Sequence, residues 1–364
     1  MHVPARMTFV QGGFAPVGGI ENFAADLLFA VSARKVRTEL ICWDGGGAGR
    51  NPVLASLSKS DVAISCSSWR WGCRWGWPDK WMATHFWQRM TNAQVLVFGK
   101  LLHDSIHRRL AEARKRMILI TPYRPAEMWK DRIPENEILN SFELIVVQAQ
   151  VFEGDLRDFG YRGRIATLPY LPPETHRPIA WPATPVLQIG FLGRLVSEKN
   201  LGYLIHSFSN LREMGIAAQL HLFGDGPERS NLQLLTNQLR LAENIEFHGN
   251  LSRGEISAAI NRCHLFAFSS RTEGQCLAAL EILAHGRRVL GTPVGAFPEF
   301  LSGLLGSIAP LDSPITFATA LRSLAEPLLK AEITPEDVQR TYKSRFPRCQ
   351  IINEYMRIVN ASAQ

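Results

Sequence analysis

The chain has 364 residues, 46% hydrophobic and 20% charged, with a formal net charge of +7. That length exceeds what one hydrophobic core usually serves, so two globular domains are expected. No uninterrupted apolar stretch is long enough to span a bilayer. The start, MHVPARMTFVQGG, has no apolar leader followed by a small-residue cleavage site, so a cytoplasmic protein is expected. The six cysteines form no CxxC and no dense framework, as expected of reduced thiols. Residues 1–168 carry 22 Lys and Arg against 16 Asp and Glu, and the remainder 18 against 17, so the basic surplus belongs to the first half. Such a surplus suits nucleic acid, anionic lipid or a phosphorylated substrate, and composition does not choose among them.

Taken in order, Met7 to Val10 reads as a short strand and is followed by a loop rich in glycine, QGGFAPVGG. Phe23, Leu27, Leu28 and Val31 then form a helical apolar stripe. The loop has neither the GxGxxG of dinucleotide sites nor a Gly-Lys-Ser/Thr, but Gly18 and Gly19 at a helix mouth let a ligand approach the backbone. Glu39 to Trp43 reads as a second strand.

Six of the nine tryptophans, Trp69, Trp71, Trp75, Trp77, Trp81 and Trp87, fall in one segment beside Arg70, Arg74, Lys80 and Arg89. Three readings fit: rings and cations at a membrane interface, bases of single-stranded nucleic acid stacked on indoles, or a loop folded over the domain core. Gly72, Gly76 and Pro78 argue against one long amphipathic helix.

Ala93 to Phe98, Met117 to Thr121, Ser141 to Val147 and Arg164 to Leu168 read as strands, with a helix at Phe152 to Phe159. His103 and His107 have the spacing of a zinc pair, but no third ligand is apparent and the following run, Arg108 to Arg116, is cationic. Alternating strands and helices predict a parallel, doubly wound sheet. Pro169 to Pro185 then holds six prolines and reads as a semi-rigid hinge between two domains that face each other across a cleft.

A second alternating series follows: strands at Val186 to Leu192, Gln219 to Phe223, Ile245 to His248, His264 to Phe268 and Arg288 to Gly291. Between them lie helices at Leu201 to Met214, Arg229 to Leu239 and Arg253 to Asn261. Helical signals return at Ile315 to Leu329 and Cys349 to Val359. Arg194 and Lys199, in GRLVSEKN, follow the first of these strands, at the edge where open α/β sheets bind ligands, and can clamp a diphosphate.

In RTEGQCLAALE, Thr272 is expected to cap a helix whose apolar face is Leu277, Leu280, Ile282 and Leu283. The unpartnered N–H groups of its first turn are a place to hold phosphate. Glu273 is expected at the mouth of this helix, and Glu281 inside it in an apolar context that demands a partner.

GRLVSEKN, FGDGPE, IEFHGNLSRGEI, the Glu-x7-Glu element EGQCLAALE and GTPVGAFPE, in this order, resemble the retaining glycosyltransferases of family 4. The resemblance covers nearly all of the second domain, and in the first rests on PVGGIE, the strand pattern and the Pro-rich segment. It implies the α/β GT-B fold: an acceptor-side Rossmann-like domain over residues 1–170, a nucleotide-sugar-binding one over 171–347, and a last helix, 348–364, crossing back to the first.

By the same resemblance, Arg194 and Lys199 would hold the donor diphosphate, Glu281 the ribose hydroxyls and Glu273 the donor sugar. Backbone N–H groups near Gly274, Cys276 and Leu277 would bind phosphate, with Gly18 and Gly19 on its other side. The chain departs from the family at Gln275-Cys276, where an aromatic residue and a glycine are common, and at Tyr123-Arg124, where many members carry a histidine.

A UDP- or GDP-linked sugar is then a substrate, and no cofactor is implied. The absence of Asp-x-Asp agrees with a metal-independent hexosyltransferase. The acceptor side is assigned to Trp69, Trp71, Arg74, Trp75, Tyr123 and Arg124. It fits a glycan or lipid-linked acceptor of cell-surface polysaccharide or glycolipid synthesis, met at an anionic membrane surface on its inner face, rather than nucleic acid. A soluble small-molecule acceptor and a GT-B sugar-nucleotide epimerase are the alternatives.

Overall fold

The computed structural model describes residues 6–11, 19–44, 51–68, 86–99, 101–121, 123–129 and 133–360. The chain divides into two compact units, one of residues 1–171 with 349–364, the other of residues 172–348.

Among the described residues, the first unit is built on seven parallel strands, β1 (Arg6–Gln11), β2 (Arg37–Asp44), β3 (Ala63–Ser68), β4 (Val95–Phe98), β5 (Arg116–Ile120), β6 (Leu144–Val147) and β7 (Arg164–Thr167), in the order β3-β2-β1-β4-β5-β6-β7. The central strands read as continuous apolar runs because helices cover both faces of a parallel sheet. Phe9, Val10, Leu96, Phe98 and Leu119 are accordingly at or below 1% exposure. The helix Gly19–Ser32 buries Phe23, Leu27, Leu28 and Val31, the stripe seen in the sequence.

The last helix, Arg348–Asn360, reaches residues of this unit. The Arg116 guanidinium donates to the carbonyls of Ile358 and Val359 at 2.7 and 2.8 Å, which satisfies acceptors at the helix C-terminus. Tyr355 donates its hydroxyl to the Pro169 carbonyl at 3.0 Å, and the Phe23 ring lies 4.5 Å from Tyr170 and 5.8 Å from Tyr355.

The second unit holds six parallel strands, β8 (Leu187–Leu192), β9 (Ala218–Phe223), β10 (Ile245–Gly249), β11 (Leu265–Ala267), β12 (Arg288–Gly291) and β13 (Gly306–Ile308), in the order β10-β9-β8-β11-β12-β13. The chain winds outward through β8, β9 and β10, then returns to lay β11 against the other side of β8. The order reverses between β8 and β11, which is where such sheets open a crevice at their carboxyl ends. No helix among the described residues is long and apolar enough to cross a membrane.

The boundary between the units falls at Leu171–Pro172, inside the Pro-rich segment read as the linker, and the rest of the segment is not free. From Pro172 onward it is bound to the second unit, because residues around the prolines still offer carbonyls as acceptors. Gln339 donates to His176 O at 2.7 Å and His264 to Pro182 O at 3.1 Å. Arg287, fully buried, donates to the carbonyls of Ile179 at 2.8 Å, Ala180 at 3.2 Å and Cys263 at 2.9 Å, and its guanidinium lies 4.9 Å from the Trp181 ring centre. Burial pushes this guanidinium down to about 10, and the carbonyls are its hydrogen-bond acceptors. Arg287→Met keeps most of the volume and orphans those acceptors. It should cost the second unit about 3 kcal/mol in urea unfolding, and an unchanged midpoint would show that the strap is not needed.

Candidate functional site

The carboxyl ends of β8, β11 and β12 meet at the switch point. After β8 the chain passes Gly193 and exposed Arg194 and makes a short 3-10 turn, Ser197–Lys199. It then enters the helix Leu201–Glu213 through Asn200, which is left-handed at φ 52°, a conformation Asn tolerates better than most residues. After β11 the chain runs through Ser269, Ser270, Arg271, Thr272, Glu273, Gly274 and Gln275 before the helix Leu277–Ala284 begins. This start corrects the expected cap. Thr272 lies well before the helix, and the N-cap is Cys276.

Two charges from distant motifs meet here. Lys199 Nζ donates to Glu273 Oε1 at 2.6 Å, with 22% of the lysine and 6% of the glutamate side chain exposed. Ser270 Oγ donates to the same oxygen at 2.7 Å. A pair this far out of water gains little from attraction alone and depends on its geometry.

That geometry is enforced from three sides. Ser269 Oγ shares its one hydrogen between the carbonyls of Lys199 and Asn200, at 3.1 and 3.0 Å, and Arg271 N–H donates to Glu198 O at 2.9 Å, which ties the two loops together. Thr292 Oγ1 donates to Ser270 O at 2.6 Å, and Ala296 N–H to Gly274 O at 2.9 Å, so the loop after β12 supports the glutamate from behind. Ser269, Ser270 and Thr292 are fully buried. The chain's local pattern does not single out these hydroxyls; its one signal is three small hydroxyl residues directly after apolar strands.

Cys276 stands in the left-handed region at φ 57° and ψ 78°, where a glycine would sit without strain, and this is the position at which the chain departs from the family pattern. Burial first, then the charge of Glu273, pushes its thiol up and keeps it neutral. Ala279 N–H is bonded to Cys276 O, so Leu277 and Ala278 present the N–H groups that precede the first intrahelical bond. Glu281 lies half-buried in the second turn, while Glu273 precedes the helix by four residues. The two carboxylates therefore do not share a helix face.

Of the residues expected from the first unit, Gly19 opens the first helix and Gly18 lies outside the described residues, as do Trp69, Trp71, Arg74 and Trp75. Tyr123 is 52% exposed. Arg124 is committed to Asp155 through two bonds, Nε to Oδ2 at 2.8 Å and Nη2 to Oδ1 at 2.9 Å, and the bond to this carboxylate pushes the guanidinium up. His103 and His107 form no metal pair. His103 Nδ1 accepts from Ser105 N–H at the start of the helix Asp104–Glu112, and buried His107 accepts the Leu102 N–H at 3.0 Å.

Residues 174–329, within the second unit, match the family model described as glycosyl transferases group 1. WcaL of Escherichia coli (strain K12), named as a colanic acid biosynthesis glycosyltransferase, is 31% identical over 131 residues, which is 34% of this chain and 32% of WcaL. A phosphatidylinositol N-acetylglucosaminyltransferase component from Arabidopsis thaliana is 26% identical over 165 residues, 45% of this chain and 36% of that protein. The chain thus spans about a third of the length of these relatives.

Likeness in structure extends over nearly the whole chain. Sucrose-phosphate synthase from Thermosynechococcus elongatus superimposes with a TM-score of 0.80 at 13% identity, covering 97% of this chain and 98% of that one. Alr3699/HepE of Anabaena, solved in complex with UDP-glucose, gives 0.75 at 13% identity, covering 97% and 99%. The fold is GT-B.

Gly295 tests the support of the site. At φ 59°, an added Cβ would stand 2.3 Å from Gly274 O and 2.5 Å from Glu273 O, both backbone atoms that cannot step aside. Gly295→Ala should cost about 2–3 kcal/mol of stability and displace the glutamate loop. Amide exchange confined to the loops after β8 and β11 would report that displacement, and unchanged protection there would remove Gly295 as a buttress.

Proposed function

We propose that this chain is a retaining glycosyltransferase of the family 4 type, which takes a sugar from a UDP- or GDP-linked donor held by the second unit. The observation that carries the reading is the convergence of Arg194, the Lys199–Glu273 pair and the mouth of the helix Leu277–Ala284 on one sheet switch point, inside the segment that matches the group 1 family model.

In this reading the donor diphosphate lies against Arg194, Lys199 and the N–H groups around Gly274, Cys276 and Leu277. Glu281 accepts hydrogen bonds from the ribose, and Glu273, its Oε1 fixed by Lys199 and Ser270, addresses hydroxyls of the sugar.

The chemistry follows from charge. As the anomeric C–O bond to the diphosphate breaks, negative charge grows on the leaving oxygen and positive charge on the sugar ring. Fixed cations and a helix N-terminus aimed at the phosphate favour that state over the ground state. The acceptor oxygen forms its bond to the anomeric carbon on the same face, and its proton passes to the departing phosphate oxygen. No protein base is needed, the anomeric configuration is retained, and these steps require no metal.

The acceptor is proposed to be a glycan or lipid-linked glycan of cell-surface synthesis, handled by a peripheral enzyme on the inner membrane face. Three things support this: the basic surplus of residues 1–168, the tryptophan-rich segment, and relatives named for colanic acid biosynthesis and for phosphatidylinositol glycosylation.

Arg194→Ala and Lys199→Ala should lower turnover by about 100-fold or more with a smaller change in KM, since their contact strengthens as charge develops. Unchanged turnover would remove them from the mechanism. Glu281→Ala should weaken donor binding by about 1.5–3 kcal/mol, read by calorimetry with a panel of nucleotide sugars; equal donor affinity would refute the ribose assignment.

A further inference from the structure

Away from the Lys199–Glu273 pair, three side chains able to bind metal converge on the β8-β9-β10 side of the second sheet. His221 of β9 pairs in register with Glu246 of the edge strand β10. The strand then bulges: Phe247 pairs with Leu222 and Gly249 with Phe223, leaving His248 as the extra residue.

The result is a nearly equilateral triangle of donor atoms. His221 Nδ1 lies 3.1 Å from His248 Nε2 and 3.5 Å from Glu246 Oε2, and His248 Nε2 lies 3.4 Å from the same oxygen. A tetrahedral zinc ion with bonds of about 2.0–2.1 Å holds its ligand atoms about 3.3 Å apart. The triangle has the dimensions of one face of that tetrahedron.

The supporting bonds fit as well. Gln188 donates its Nε2 to Val186 O at 3.0 Å, which turns its Oε1 toward His221 Nε2 at 2.7 Å. His221, only 3% exposed, must therefore carry its proton on Nε2 and present the bare lone pair of Nδ1 to the triangle. An imidazole that donates its outer N–H to a fixed carbonyl is the arrangement metal-binding histidines use. Phe223 stacks on the His248 ring at 4.4 Å and 19°, which sets its plane.

We infer that His221, Glu246 and His248 form a site for a divalent transition metal of the zinc class, with its fourth position open to water. Two imidazoles and one carboxylate favour zinc, cobalt or nickel over magnesium and calcium, which prefer oxygen shells. Access is through Glu246, half of whose side chain is exposed. Arg262, 3.6 Å from that carboxylate and itself 56% exposed, competes for it and swings into solvent when metal binds. Without metal, His248 Nε2–H donates to His221 Nδ1, so binding shifts the His248 proton to its other nitrogen. The ion ties the edge strand β10 to β9 as a staple, and its binding requires nothing of the proposed glycosyl transfer.

The test uses the untagged full chain, stripped with chelator and titrated with Zn2+ by calorimetry and with Co2+ by visible absorption. Wild type should take up a single equivalent of Zn2+ and show the intense cobalt bands of a tetrahedral site. His248→Ala and Glu246→Gln, at the edge strand, should keep the far-UV circular dichroism of the wild type and bind Zn2+ about 100-fold and about 10-fold more weakly, and Gln188→Ala about 10–100-fold more weakly. Equal affinity in wild type and His248→Ala, or no tetrahedral cobalt spectrum in the wild type, would overturn the site and leave the three residues as a hydrogen-bonded relay.

Discussion

The second unit is arranged so that Lys199 and Glu273 can meet. A lysine and a glutamate removed this far from water give up hydration that their mutual attraction barely returns, so such a pair persists only where the surrounding backbone holds both partners. Here the holding is done by backbone carbonyls and small hydroxyls. Ser269 grips the lysine turn, Ser270 shares the glutamate oxygen, and Thr292 and Ala296 secure the glutamate loop from the next strand. These groups come from the loops after β8, β11 and β12, so the pair joins three strand ends, and its two charged partners lie 74 positions apart in sequence.

The topology explains why the pair sits there. Reversal of strand order between β8 and β11 leaves a crevice at their carboxyl ends, and residues that follow these two strands are the ones that can face each other across it. The same reversal leaves β10 as an edge strand, where a bulge can turn His248 toward His221 without disturbing the centre of the sheet. Strain is admitted next to the charged pair: Cys276 holds a left-handed conformation at the helix mouth.

The Pro-rich segment shows how composition and structure divide the work. Proline removes donors and so prevents the segment from joining a sheet, which the sequence conveys. It does not stop neighbouring carbonyls from accepting bonds, and the buried guanidinium of Arg287 with the side chains of Gln339 and His264 uses them to bind the segment to the second unit. Tyr170 and Tyr355 do the same for its first residues within the first unit.

The strands and most helices were legible because parallel sheets bury continuous apolar runs and helices repeat an apolar stripe, both of which are local patterns. The α/β class followed from their alternation; Arg194, Lys199 and Glu273 stood out as charged residues in the loops after apolar strands, and Glu281 as a carboxylate in an apolar stretch of helix. The start of the helix after β11 was misplaced, since Thr272 is as good a cap by type as any. Only the bond from Ala296 to Gly274 and the close approach of Gly295 show why the chain must run on to Cys276 before it can turn. The pairing of Lys199 with Glu273, the burial of Arg287 and the triangle of His221, Glu246 and His248 depend on strand order and register. Those are set by contacts between distant segments, and no local pattern in the chain encodes them.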